Sequence, residues 1–283
     1  MPSPVLHSQE VVSTCHDTDA TTWYLQEQGC HCHWWWHWDW QGNDRDVCTA
    51  WSQRCYNEQI LAVAADVRDP SAVAAAVDRC LDKLGLPDIV INNAAGNFIS
   101  PTEMLSTNAW KTIVDIVLNG TAIVTLDVGK RLIEAGKGAN FLAISATYTK
   151  HGSGYVAPSA AAKSGVEALM MSLAAEWAKY GMRFNCIEPG PVYTKGAFSR
   201  LDPDGRFSKE AVKGAIERQG EIPEVVNLAA YLVSDYSSWL TGEVIRMDGG
   251  HLNYNASVFN RLSNVPKDQW KAIEAAIRSA KGS

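Results

Sequence analysis

Asp88-Ile89-Val90-Ile91-Asn92-Asn93-Ala94-Ala95-Gly96 is the stretch that decides the fold of this 283-residue chain. Ile89, Val90 and Ile91 follow one another without polar alternation, as in a strand buried on both faces of a parallel sheet. The run then stops in amide and small residues that let another group come close to the backbone. Upstream, Ile60–Val67 reads as a strand and Ser71–Leu84 as a helix. Downstream come two helices, Met104–Leu118 and Thr121–Ala135, then strand Asn140–Ser145 and the long helix Val156–Tyr180. Strand Arg183–Glu188, helix Pro223–Ser234, strand Glu243–Met247 and a last helix, Pro266–Ala280, complete the pattern. Short apolar strands alternating with amphipathic helices predict an α/β protein, a parallel sheet covered on both faces.

In such sheets ligands bind beyond the carboxyl ends of the strands. Asn92–Gly96, the turn after Ser145, Pro189-Gly190-Pro191 and Asp248-Gly249-Gly250 punctuate four strand ends and mark the expected site. A formal charge of −6 with mixed signs argues against nucleic acid as the main partner, which needs a basic face. No uninterrupted apolar run approaches the ~20 residues of a membrane span. Seven cysteines, two of them inside patterned elements, argue against a disulfide framework.

Composition is uneven. Residues 1–56 hold seven of the eleven Trp, five of the seven Cys and five of the seven His, but only Gly29 and Gly42 among 21 glycines. The expected organisation is an aberrant segment, 1–56, replacing the first strand–helix unit, and a single domain over 57–283 with a C-terminal helical extension.

Asn92-Asn93-Ala94-Ala95-Gly96, Asn119 in a helix, Lys163 in the long helix and Pro189-Gly190-Pro191 after a strand resemble, in this order and spacing, the short-chain dehydrogenase/reductase family. The resemblance implies a Rossmann-type doubly wound sheet whose first strand and phosphate loop are aberrant here. Typical members carry Tyr four residues before the helical Lys; this chain has Ser159. The Ser-x-x-x-Lys arrangement, with Asn92–Thr102, Gly196–Pro203, Asp235–Gly242 and Phe259–Ser283, resembles the 2,4-dienoyl-CoA reductase branch, where the working Tyr comes from the end of the preceding strand. Tyr148 stands there.

That resemblance implies NADPH-dependent reduction of a 2,4-dienoyl-CoA to a 3-enoyl-CoA in unsaturated fatty-acid β-oxidation. Hydride addition to the conjugated thioester drives negative charge onto the thioester oxygen, where donors must stand. By resemblance Tyr148 and Asn97 are those donors, Ser159 supports them and Lys163 binds the nicotinamide ribose. Pro189, Gly190, Pro191 and Val192 line the nicotinamide side, Asp66 the adenine side, and Arg68, Phe98, Ser106 and Arg200 the acyl-CoA. Asn119 matches a structural helix Asn. Taken singly, Ser159 reads equally as a helix cap, Arg200 as a solvated charge and Asp66 as a turn residue. The resemblance further implies a homotetramer in the mitochondrion, although no transit peptide is visible, and the last three residues form no peroxisomal address.

The family writes its phosphate loop Thr-Gly-x-x-x-Gly-x-Gly. In its place stands Cys30-His31-Cys32-His33-Trp34-Trp35-Trp36-His37-Trp38-Asp39-Trp40. As a zinc site the spacing is poor, with ligands in direct alternation. The genetic code gives a better account. Trp has one codon, TGG, and reading one base later turns every Trp into Gly. From Gln28 to Gln41 the shifted string can read K-V-A-I-V-T-G-G-G-T-G-I-G-K, a strand running into a phosphate loop with all five glycines forced. Asp19–Leu25 then permits M-L-P-P-G-T-F and Cys48–Trp51 A-L-L-G. The expectation is that residues from about 15 to 55 are an out-of-frame translation of the cofactor-binding segment, with the frame restored near Asn57. The segment that would hold the 2′-phosphate of NADPH is shortened, and Gln219–Pro223 alters the family's Gly-Arg-x-Gly turn. Two rivals follow: a carbonyl-reducing member of the family, and a non-binding pseudoenzyme without activity as written.

Overall fold

The structure is a computed structural model that describes residues 33–36, 61–192, 205, 209 and 212–280. Five parallel strands form one sheet in the order β1-β2-β3-β4-β5: β1 His33–Trp36, β2 Ile89–Asn92, β3 Asn140–Ile144, β4 Arg183–Pro189 and β5 Val244–Met247. Ile89 pairs with Asn140, Asn140 with Arg183 and Cys186 with Val244. The helices are α1 Pro70–Leu84, α2 Thr107–Val114, α3 Gly120–Glu134, α4 Ala157–Trp177, α5 Ile222–Val233, α6 His251–Asn255 and α7 Trp270–Ser279.

Alternation along the strands divides the core between the two faces of the sheet. Val90, Phe141, Ala143, Phe184 and Cys186 pack with residues of α1 to α4. Ile89, Ile91, Leu142 and Ile187 pack with Ala229, Leu232 and Val233 of α5. At the centre the Phe141 and Phe184 rings stack at 4.6 Å, and Trp177 of α4 meets Phe184 edge-on at 6.0 Å. Gly129 of α3 leaves room for that indole, since a Cβ there would come within 2.2 Å of it.

Local sequence explains the helix ends. Asp69 caps α1 by accepting from the Ser71 and Ala72 amides at 2.8 and 3.3 Å, with Pro70 in the first turn. Gly85 ends it with φ 81°. Glu221 and Glu224 form a capping box on α5.

Two expectations are corrected. Residues 61–66 belong to no strand. They alternate inward and outward, with Val63 and Ala65 on the core, and Val67 is buried. A strand exists by virtue of a ladder partner, and among the described residues none is beside them to take their backbone bonds. Secondly, α2 and α3 are not separate helices. A π-helical turn, Asp115–Asn119, joins them, and Gly120 continues it with helical φ −61° and ψ −46°. Gly120 is small for a reason: a Cβ there would lie 2.6 Å from Val67. The run Thr107–Glu134 is long and apolar enough to cross a membrane by composition alone, yet half of its apolar window is buried here, with Val117, Val124, Val128 and Leu132 in the core.

Candidate active site

Because the strands are parallel, the carboxyl ends of β2 to β5 open on one edge. Beyond β3 the chain keeps one more ladder bond, Ser145 N–H to the Ile187 carbonyl at 2.7 Å, and then turns. The Gly152 amide closes that turn on the Tyr148 carbonyl at 2.9 Å. The Ser164 hydroxyl of α4 donates to the Thr149 carbonyl at 2.9 Å, which fixes the turn against the helix. In consequence the Tyr148 phenol and the Ser159 hydroxyl share a hydrogen bond of 2.9 Å. Burial pushes the phenol pKa up, opposed in part by the Ser159 bond.

Lys163 lies one helical turn beyond Ser159, on the same face. It is buried and its ammonium donates to the Ile144 carbonyl at the end of β3. Burial lowers its pKa to about 8, although Cys186 and Glu167 act in the opposite direction. Asn97 follows the end of β2, five residues beyond Asn92. Its Oδ1 is buried and has no hydrogen-bond partner among the described residues. An orphaned buried acceptor costs about 1–3 kcal/mol unless something donates to it, so this atom fits a ligand. The Asn97 loop is held by the Ser100 amide, which donates to the Tyr155 carbonyl at 3.0 Å. Tyr155 has φ 68°, a left-handed conformation that a non-glycine residue rarely adopts, directly before α4.

Behind the Tyr148 turn lies a network that the sequence reading did not single out. Ser145 donates to Glu167, a buried residue of α4 whose carboxyl pKa is raised by burial. Thr149, next to Tyr148, donates to Glu188 at 2.8 Å, and Glu188 is 1% exposed. The Lys150 ammonium lies 4.0 Å from the same carboxylate. Both acids were visible as signals: Glu188 is a charge inside an apolar strand, and Glu167 falls one turn past Lys163 on its own face.

Pro189, Gly190, Pro191 and Val192 stand at the end of β4 as expected. The Gly190 amide donates to Met247 at 2.9 Å, and a Cβ at Gly190 would come within 2.6 Å of Asp248. Val192 pairs with Gly220, and a cavity of about 160 Å³ opens between Pro191, Val192, Arg218, Met247, Asp248 and His251.

Other expected residues are engaged elsewhere. Asp66 and Arg68 face each other, the guanidinium meeting both carboxylate oxygens at 2.6 to 3.1 Å, which lowers the carboxyl pKa. Phe98 packs against the core, and Ser106 caps α2 by accepting from the Ala109 amide at 3.1 Å. The exposed Asn119 bonds Asp115 at 2.8 Å. Arg200 lies outside the described residues. Among the described residues no three metal-ligating side chains cluster.

Residues 20–251 match the family model described as enoyl-(acyl carrier protein) reductase. A probable 2,4-dienoyl-CoA reductase of Caenorhabditis elegans is 44% identical over 224 residues, 77% of this chain and 72% of that one. The peroxisomal 2,4-dienoyl-CoA reductase of Pongo abelii is 35% identical over 207 residues, 73% of this chain and 69% of that one. Among solved structures, the gluconate 5-dehydrogenase of Burkholderia cenocepacia in complex with NADP and tartrate superposes with a TM-score of 0.62. It is 28% identical, and the match covers 66% of this chain and 73% of that one.

Proposed function

This chain belongs to the short-chain dehydrogenase/reductase family of oxidoreductases, and we propose that, with its cofactor segment read in the shifted frame, it reduces 2,4-dienoyl-CoA to 3-enoyl-CoA with NADPH, in the β-oxidation of unsaturated fatty acids. The observation that carries this reading is the donor group at the β3 end: Tyr148 from the strand end bonded to Ser159, where a carbonyl-reducing member has Tyr at the helix position.

When a dienoyl thioester accepts a hydride at the far end of its conjugated system, as NADPH would supply when bound, a C–H bond forms there and negative charge arrives on the thioester oxygen. The Tyr148 phenol, oriented by Ser159, donates there, and the Asn97 amide nitrogen donates from the β2 side. Both are prepositioned, so they strengthen as charge develops and need little reorganisation. Lys163, kept in place by the Ile144 carbonyl, contributes positive charge beneath the group. The dienolate is then protonated near the thioester, leaving the double bond of a 3-enoyl-CoA. The Asn97 Oδ1, which has no donor among the described residues, gains one when a ligand fills the edge. In this reading the family resemblance assigns Arg68, Phe98, Ser106 and Arg200 to the acyl-CoA and Asp66 to the adenine, which requires the ligand to displace the Asp66–Arg68 pair.

The protein is further read as a homotetramer of the mitochondrion, with the peroxisome as the alternative that a peroxisomal relative raises. Steady-state assay of the chain restored to the shifted frame between about residues 15 and 55, with a 2,4-dienoyl-CoA and with a simple ketone, tests the activity. Turnover of the dienoyl-CoA alone is expected. Turnover of the ketone alone would replace the reading by carbonyl reduction.

A further inference from the structure

The catalytic edge fits a nicotinamide dinucleotide, and the rim that should hold its phosphates does not. A phosphate turn must leave the sheet where the first strand ends, with glycines that let the backbone amides approach the pyrophosphate at a helix N-terminus. Here β1 runs His33–Trp36 beside β2, with Trp36 opposite Asn92, the last residue of that strand. Residues 34–36 therefore sit inside the ladder. The next five residues in sequence, His37-Trp38-Asp39-Trp40-Gln41, contain no glycine and include a carboxylate. On the adenine side, residues 61–66 have no ladder, and the Asp66 carboxylate is taken by Arg68.

The shifted reading frame accounts for these departures together. It permits Lys-Val-Ala-Ile-Val-Thr, a strand-forming stretch, at positions 28–33 and forces glycines at 34, 35, 36, 38 and 40. Seated against β2, that stretch would occupy the slot about four residues earlier in the chain than the pairing seen here. The glycines would then fall beyond the sheet, beside the Asn92–Gly96 turn, where a phosphate cradle belongs. We propose that residues of the written β1 fill a slot that belongs to positions 28–33 of the shifted frame, and that the chain as written does not bind a dinucleotide whereas its frame-restored counterpart does. The inference rests on the family reading and is independent of which substrate is reduced.

The test compares the chain as written with a version restored to the shifted frame between about residues 15 and 55. Each is titrated with NADPH and with NADH, following energy transfer from protein to nicotinamide, after near-ultraviolet circular dichroism has established that it is folded. Saturable binding by the restored chain, and at least 100-fold weaker binding by the written one, is expected. Comparable binding by both, or by neither while both are folded, would overturn the proposal. In case the written chain does not fold, transcript sequence across codons 15–55 is read in parallel. A continuous, well-supported frame encoding the Trp run as written would overturn it, and the shifted frame would support it. A restored chain that binds NADPH but leaves 2,4-dienoyl-CoA untouched would remove the proposed substrate while leaving this inference standing.

Discussion

The β3–β4 pair and the β1 rim belong to one sheet, yet they are held in it by different forces. Between β3 and β4 five residue pairs are in register, and both faces carry side chains locked in the core, Phe141 on Phe184 among them. A one-residue slip there would send every apolar side chain to the wrong face, so the sequence itself specifies the register. β1 has four residues and, among the described residues, one neighbouring strand. Aromatic residues suit a pleated surface, and the open edge of β2 offers unpaired amides and carbonyls to any such segment. A strand in the right slot is therefore weaker evidence of a functional segment than a strand whose side chains fix its register.

The largest expected effect sharpens this contrast from the centre. Phe184→Ala removes a side chain that is fully buried between Phe141 and Trp177, and should cost about 3–5 kcal/mol in denaturant unfolding. A loss below ~1 kcal/mol would mean the centre is no better anchored than the rim. Next comes Tyr148→Phe, which deletes the donor but not the ring. It should lower kcat about 10²–10³-fold in the turnover-competent chain while folding is unchanged. An equal drop in unfolding stability would instead make Tyr148 a packing residue.

Lys163→Met comes third. In the unfolded chain Lys163 titrates at its ordinary 10.5 and in the fold at about 8, so its charge opposes folding. That penalty is fully present below pH 8, declines as pH rises to 10.5 and is absent above. Lys163→Met should therefore raise stability near pH 7 by at most about 3 kcal/mol, less the lost bond to Ile144, while activity disappears. A gain independent of pH would refute the linkage. Glu167→Gln follows the same logic with opposite sign. The folded carboxyl pKa is raised, so stability falls as pH climbs through the range above the ordinary value of 4.5. The substitution should leave stability unchanged below pH 4 and raise it modestly at neutral pH, as read from pH-dependent thermal melts. The smallest effect needs no mutation. Backbone amides of β1 should exchange with deuterium faster than those of β3 and β4, because a four-residue edge ladder opens by local fraying. Equal protection in the three strands would break the comparison.

Much of the fold was legible because buried strands and capped helices are encoded locally. The apolar run Ile89–Asn92 and the helical periodicity of Ser71–Leu84 and Pro223–Ser234 carry their own signals. The reading failed at 61–66, where the pattern is that of a strand but no ladder partner stands among the described residues, and at Leu118–Thr121, where a glycine reads as a break but takes helical angles. Part of the site's geometry was legible as residue types at fixed spacing: Tyr148 and Ser159 share a hydrogen bond, and Lys163 follows one turn on along the same helix face. Ser106 and the Asp66–Arg68 pair were not legible in the same way, since a side chain that can bind a ligand can equally cap a helix or neutralise its neighbour.

By itself the sequence determined that this is a parallel α/β oxidoreductase of the short-chain dehydrogenase/reductase family; the donors at its strand ends and the shifted frame behind its Trp-rich segment are proposals built on that reading. Only the tertiary structure decided which groups meet. It put Thr149 on the buried Glu188, Ser145 on Glu167, left the Asn97 oxygen without a donor among the described residues, and placed residues 33–36 beside β2. The reason is physical: spacing along a chain fixes a face of a helix or strand, whereas desolvation and backbone pairing depend on what the other elements bring alongside.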